Sequence, residues 1–346
     1  MFRSKTLFII GAGASREVGF PLGLELKQTI STLLDIRFAD GFRQLSGDHD
    51  ITETFRHIAR GDAARRGDIN PLLHVCWLIR DAMPQAMSID NFLDAHNENS
   101  DLVWCGKLAI AQAILQAEKQ SAFYIHPNDR PKLDHGGLAD KWFAKLFQKL
   151  HEGVSKQRVE QIFNNVSFVS FNYDRSIEQY FPHAIQNYYG ISLADAQKIT
   201  AKLTIIHPYG VCGALPWQGG SAVVEYGERG YPTTLLKVAG QIHTFTERVE
   251  DTEMLASIRE EVSSADTIVF LGFAYHRLNM ELLKLEKRSQ GSKVFGTALG
   301  ISVADCEIVK NMIANILCRD AQYVWSEIRN DLRCGQLFDE YHRALA

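Results

Sequence analysis

Asn172 and Asp174 stand two residues apart in Ser170-Phe171-Asn172-Tyr173-Asp174, at the end of an apolar run that begins at Val166. Side chains at that spacing leave a strand on the same side as long as the backbone stays extended. An amide and a carboxylate held together in this way can read a carboxamide or orient a water. The same residue types after a strand also form an Asx turn or cap the next helix, and Asp174 precedes Arg175-Ser176-Ile177-Glu178 as a cap would. His207 ends a second apolar run, Ile205-Ile206-His207-Pro208-Tyr209-Gly210. A histidine there has the chemistry of a general base or of a hydrogen-bonding orienter, and a lone one also serves as a structural hydrogen-bonder. His276 is the nearest rival among the other histidines. Cys212 would be a nucleophile only beside a second histidine or a charged partner, which the sequence does not place.

A third set of residues supplies a ligand cradle. Thr6-Leu-Phe-Ile-Ile-Gly-Ala-Gly-Ala-Ser15 reads as a buried strand that stops at a glycine turn. Gly11 and Gly13 allow a tight turn and close approach of backbone to a ligand. With a helix starting near Ser15, free N–H groups at Gly11, Ala12, Gly13 and Ser15 would face a pyrophosphate. The dehydrogenase fingerprint asks for a third glycine where this chain has Arg16, and for a second short strand ending in Asp or Glu about twenty residues on. Leu24–Ile36 instead carries Leu26, Ile30, Leu33 and Leu34 at helical spacing. No Gly-Lys-Ser/Thr follows the glycines, which excludes a P-loop. Two further strand ends have the same character. Leu271-Gly272-Phe273 is followed by Asn279, placed to cap the next helix or to contact a ribose, and Val294-Phe295-Gly296-Thr297 ends in small and hydroxyl-bearing residues.

The elements that must position these groups are strands at Thr6–Ile10, Val166–Phe171, Leu203–His207, Thr267–Gly272, Lys293–Thr297 and Gln322–Trp325. Helices are expected at Asn279–Arg288 and Val303–Leu317. This alternation predicts an α/β fold, a Rossmann-like parallel sheet with helices on both faces. Between Leu24 and Asn165 helical periodicity dominates, as in Leu138–Leu150 and Leu108–Ala117. The core is therefore expected over 1–23 plus 165–346, with a large, mostly helical insertion over 24–164. Gly61–Asp68 and His126–Gly137 read as exposed loops.

Composition excludes several classes. The 346 residues are 46% hydrophobic and 23% charged with a formal net charge of -4, so direct binding to nucleic acid or to an anionic membrane is not expected. Arg56, Arg60, Arg65 and Arg66 are interrupted by Asp62 and Asp68 and read as a solvated helix face and loop. The six cysteines form no Cys-x-x-Cys pair, which gives no metal ligand set and no disulfide framework and suits a reducing, cytoplasmic setting. No apolar run approaches the roughly 20 residues of a membrane span. The five-residue apolar run after Lys5 is below the ~7–15 of a signal peptide.

Taken in order, Gly11-Ala12-Gly13-Ala14-Ser15, Gly19-Phe20-Pro21, Ser170-Phe171-Asn172-Tyr173-Asp174 and His207 with Gly210 resemble the motifs of the sirtuin family. The resemblance runs over 1–346 as a single sirtuin-like domain. It implies that Asn172 and His207 are catalytic, that Asp174 lies in a nicotinamide pocket, and that Gly11, Ala12, Gly13, Ser15, Gly272, Phe273, Asn279 and Thr297 contact the nucleotide. Leu22-Gly23-Leu24 stands where family deacylases carry Asp-Phe-Arg, and the four-cysteine zinc module is missing, so no metal is implied. Ser88–Leu93 and Phe171–Glu178 are similar to the divergent bacterial antiphage-defence branch. That branch implies NAD as a substrate to be cleaved to nicotinamide and ADP-ribose, depletion of NAD in abortive infection, a homo-oligomer, and a HerA-type ATPase or other defence partner. The alternatives are an NAD-dependent protein deacylase and a non-catalytic NAD or ADP-ribose sensor.

Overall fold

The computed structural model describes residues 2–63, 65–126, 128, 132–289, 291, 293–320, 322 and 324–345. Its strands are β1 (Thr6–Ile10), β2 (Arg37–Ala39), β3 (Arg43–Ser46), β4 (Val166–Ser170), β5 (Thr204–Ile206), β6 (Thr267–Leu271), β7 (Lys293–Thr297) and β8 (Trp325–Arg329). Six of them form one parallel sheet in the order β5-β4-β1-β6-β7-β8, and β2 pairs with β3 in a separate hairpin. Counted along the chain, the sheet strands follow the order of doubly wound dinucleotide-binding sheets. The chain moves outward from a central first strand on one side, then returns to build the other. The expected α/β class, a Rossmann-like parallel sheet flanked by helices, is the fold observed.

β1, β4 and β6 are buried along their whole length, as strands covered on both faces are. They pair in matched register, with Ile10 opposite both Ser170 and Leu271. The turns that follow these three strands therefore leave the sheet side by side.

Several elements differ from the sequence reading. The last strand is displaced to Trp325–Arg329, an edge strand whose mixed burial gives no apolar run to read. The helix expected over Asn279–Arg288 is the shorter Arg277–Leu282. The β2–β3 hairpin went unread because its short strands are charged and half-exposed. Ala64 and Pro127, Asp129, Arg130 and Pro131 of the predicted loops, and Tyr323 of the last predicted strand, lie outside the described residues.

The chain divides into two compact units. The first comprises residues 1–19, 122–208 and 249–346 and contains the whole six-stranded sheet. The second comprises 20–121 and 209–248 and is mostly helical. The stretch 122–164, expected within the insertion, thus belongs with the sheet. The helix Trp142–His151 explains why: the Trp142 indole donates to the carbonyl of Ala14 at 2.9 Å, and Trp142, Phe143, Leu146 and Leu150 are buried. In the second unit the long helix Ser100–Gln120 is central and packs on Gly23–Leu34, Asn70–Ala82 and Pro232–Ala239. No described helix is long and apolar enough to cross a membrane.

Candidate active site

The glycine turn is built by its fit to a second turn. Gly11 keeps an extended backbone and takes the N-cap position, so the helix begins at Ala12 rather than near Ser15 and spans only Ala12–Arg16. A Cβ on Gly11 would lie 2.6 Å from the carbonyl oxygen of Gly272, and one on Gly13 would lie 2.7 Å from the Gly272 Cα. A Cβ on Gly272 would lie 2.0 Å from the Ala14 nitrogen, and Gly272 also has φ +56°, a conformation costly for other residues. The glycines thus let two backbone turns touch where the strand order reverses, between β1 and β6. The Gly11 N–H donates to the carbonyl of Leu271 and the Gly13 N–H to that of Gly272, both at 3.0 Å; the Ala12 N–H is not among these bonds.

The remaining nucleotide candidates continue the same layer. The Gly272 N–H donates to Thr297 Oγ1 at 2.8 Å, so this hydroxyl supports the second turn. Phe273 is buried, its ring 5.1 Å from that of Phe171 and 5.4 Å from that of Tyr275. Asn279 is half-buried inside Arg277–Leu282, and His276 rather than Asn279 holds the N-cap position. His276 is exposed and Cys212 is buried. Among the described residues no cluster of His, Cys, Asp and Glu could hold a metal ion.

Asn172, Asp174 and His207 come together at the ends of β4 and β5. Asn172 Nδ2 donates to the Gly11 carbonyl at 3.1 Å and to Ser15 Oγ at 2.9 Å. A carbonyl can only accept, so Gly11 fixes which end of the amide faces the turn. Both amide hydrogens are engaged, which leaves Oδ1 for other use. Asp174 is buried, and its Oδ1 accepts from the Ser176 N–H at 3.0 Å, the geometry of an Asx turn opening the helix Ser176–Tyr189. Burial pushes the Asp174 carboxyl above its ordinary range. The Ser176 N–H and the Ser15 hydroxyl oppose that rise without cancelling it, and the Glu178 charge adds to it.

His207 is held at both ring nitrogens. Nδ1 lies 3.2 Å from the carbonyl of Asn172, and Nε2 lies 2.9 Å from Glu178 Oε1. The side chains of His207 and Glu178 are only 9% and 5% exposed, so the pair is shielded from solvent. Burial lowers the His207 pKa, but the Glu178 carboxylate, its hydrogen bond, the Asn172 carbonyl and the Asp174 charge outweigh that effect and hold it above the ordinary value.

Glu178 was not singled out from the sequence, although a signal for it exists. It shares a helix stripe with Phe181, Pro182, Ile185 and Tyr189, all buried, where a carboxylate is not found without a partner. Compared with known proteins, the chain matches no family model, no curated protein and no solved structure. The site is therefore read from its own chemistry. A hydrogen-bonded series runs from the glycine turn through Ser15 and Asn172 to His207 and Glu178. A shallow surface depression beside Lys145, Lys149, Phe338 and His342 contains none of these residues.

Proposed function

We propose that the protein hydrolyses NAD at the nicotinamide–ribose bond, releasing nicotinamide and ADP-ribose. The observation that carries this reading is the direct linkage of Asn172 to the glycine turn and, through its carbonyl, to His207, at the carboxyl ends of β1, β4 and β5. The strand order supports a dinucleotide ligand by analogy of fold. The resemblance to the sirtuin family's antiphage-defence branch supports NAD as the substrate, with NAD depletion in a defence response, a homo-oligomer and a HerA-type or other defence partner.

The chemistry asks little acid catalysis of the protein. The leaving group departs from a pyridinium as neutral nicotinamide and takes the electron pair of the C1′–N bond. A water oxygen bonds to C1′ and gives up its proton. The site must bind nicotinamide, stabilise an oxocarbenium-like ribose and place that water. Asn172 Oδ1 orients water and ribose, and His207, on giving up one of its two ring contacts, hydrogen-bonds a ribose hydroxyl or receives the proton. Asp174, buried beside Asn172, binds the carboxamide. Ala12 offers the turn N–H to the pyrophosphate, while Gly11 and Gly13 permit close approach and Ser15, Gly272, Phe273, Asn279 and Thr297 line the nucleotide.

The engagement of both His207 nitrogens favours one second reading, a sensor that binds NAD without turning it over. The two readings separate in one experiment on the full chain, alone and with the products of its adjacent genes. A hydrolase loses NAD and forms nicotinamide and ADP-ribose, with Asn172→Ala and His207→Ala slowed about 100-fold or more. A sensor gains thermal stability with NAD and leaves it intact. Variants that fold normally and hydrolyse NAD at the parent rate would defeat the site assignment.

A further inference from the structure

We propose that Glu178 is a positioning residue that sets the protonation state of His207 and thereby the pH at which the site can accept a proton. His207 Nδ1 faces a backbone carbonyl, which cannot donate, so a proton must sit on Nδ1. Nε2 faces Glu178 Oε1 at 2.9 Å. That contact is satisfied either by an imidazolium beside a carboxylate or by a neutral ring beside a protonated carboxyl. In both forms the pair holds one shared proton and no net charge.

The surroundings make this coupling strong. Among the described residues Glu178 Oε2 is buried without a hydrogen-bond partner, so the hydrogen bond shown for this carboxylate is the one to the His207 ring. Two charged groups that act on that ring are Glu178, from the helix Ser176–Tyr189, and Asp174, from the turn after β4. Pro182, one turn further along the same helix, has no N–H to give the carbonyl of Glu178. Glu178 thus reaches the ring from a helical turn that lacks one internal bond.

The role of the pair in activating water rests on the NAD-hydrolase reading; the pairing of Glu178 with His207 does not. In the full-length protein the ring titration of His207 is followed by NMR, with His207→Gln used to assign its signal, in the parent and in Glu178→Gln. Gln keeps the size and the acceptor while removing the charge. The expected result is that the His207 midpoint moves to lower pH in Glu178→Gln, and that the acid limb of the NAD-hydrolysis profile moves with it. Identical ring midpoints in parent and variant would overturn the proposal. If the parent consumes no NAD, the hydrolase reading fails while the ring titration still decides the role of Glu178. Should Glu178→Gln not fold, Glu178→Asp, which retracts the carboxylate by one methylene, is expected to shift the midpoint in the same direction.

Discussion

At the scale of single residues, one asparagine amide and one histidine ring organise the candidate site. Asn172 faces the Gly11 carbonyl with its NH₂ group. Asn172→Asp puts a buried acceptor against that acceptor and is expected to cost about 2–3 kcal/mol, read as a lowered urea midpoint. Two raised groups in the site contribute to the pH dependence of stability. Asp174 is raised from 3.8 and His207 from 6.5, so at these two positions the folded chain binds more protons than the unfolded one and their contribution falls as pH rises. The Asp174 contribution is lost as pH rises above 3.8. The His207 contribution is complete below 6.5 and is lost as pH climbs through the raised folded value. The stability difference between the parent and His207→Gln, read by urea unfolding across pH 6 to 9 (a range of about three units), should shrink as pH rises. Asn172, Asp174 and His207 were legible in the sequence because each follows an apolar strand. Glu178 was not, because its partner lies on another element and a Glu early in a helix looks like ordinary N-terminal charge.

At the scale of elements, two turns and two helix starts hold the site in place. Gly272→Ala forces a methyl into the Ala14 and Gly13 backbone and is expected to cost about 3 kcal/mol or more. Gly153 has a comparable φ of +73° but open space around it, so Gly153→Ala should cost only about 1 kcal/mol. Thermal or urea unfolding of the two variants separates backbone conformation from turn-on-turn packing. Glu17 accepts from the Trp142 N–H at 3.0 Å and from the Gly335 N–H at 2.9 Å, so one carboxylate serves the starts of Trp142–His151 and Cys334–Glu340. Glu17→Ala leaves both starts without that acceptor and should cost about 1–2 kcal/mol in the same unfolding assay. Two strands, Thr6–Ile10 and Lys293–Thr297, match the sequence reading to the residue, each built on a buried apolar stretch. β8 and the β2–β3 hairpin escaped because an edge strand or an exposed ribbon carries no such run. The glycine turn was legible as a turn, but the sequence did not reveal that the neighbour it approaches is the Gly272 turn.

At the scale of the whole molecule, the sheet unit carries every residue of the candidate site: Gly11–Ser15, Asn172–Glu178, His207, Gly272, Phe273, Asn279 and Thr297 all fall within it. The second unit is built from two separate stretches of chain, which single-sequence periodicity cannot join because it reports local faces and not long-range partners. The proposed function requires this site to break NAD. The most direct measurement is chromatographic identification of the products formed from NAD by the parent chain together with its genomic neighbours, beside Asn172→Ala under the same conditions. Nicotinamide and ADP-ribose are expected in equal amounts from the parent and almost none from the variant. NAD left intact by the parent, or equal product from a folded Asn172→Ala protein, would contradict that function.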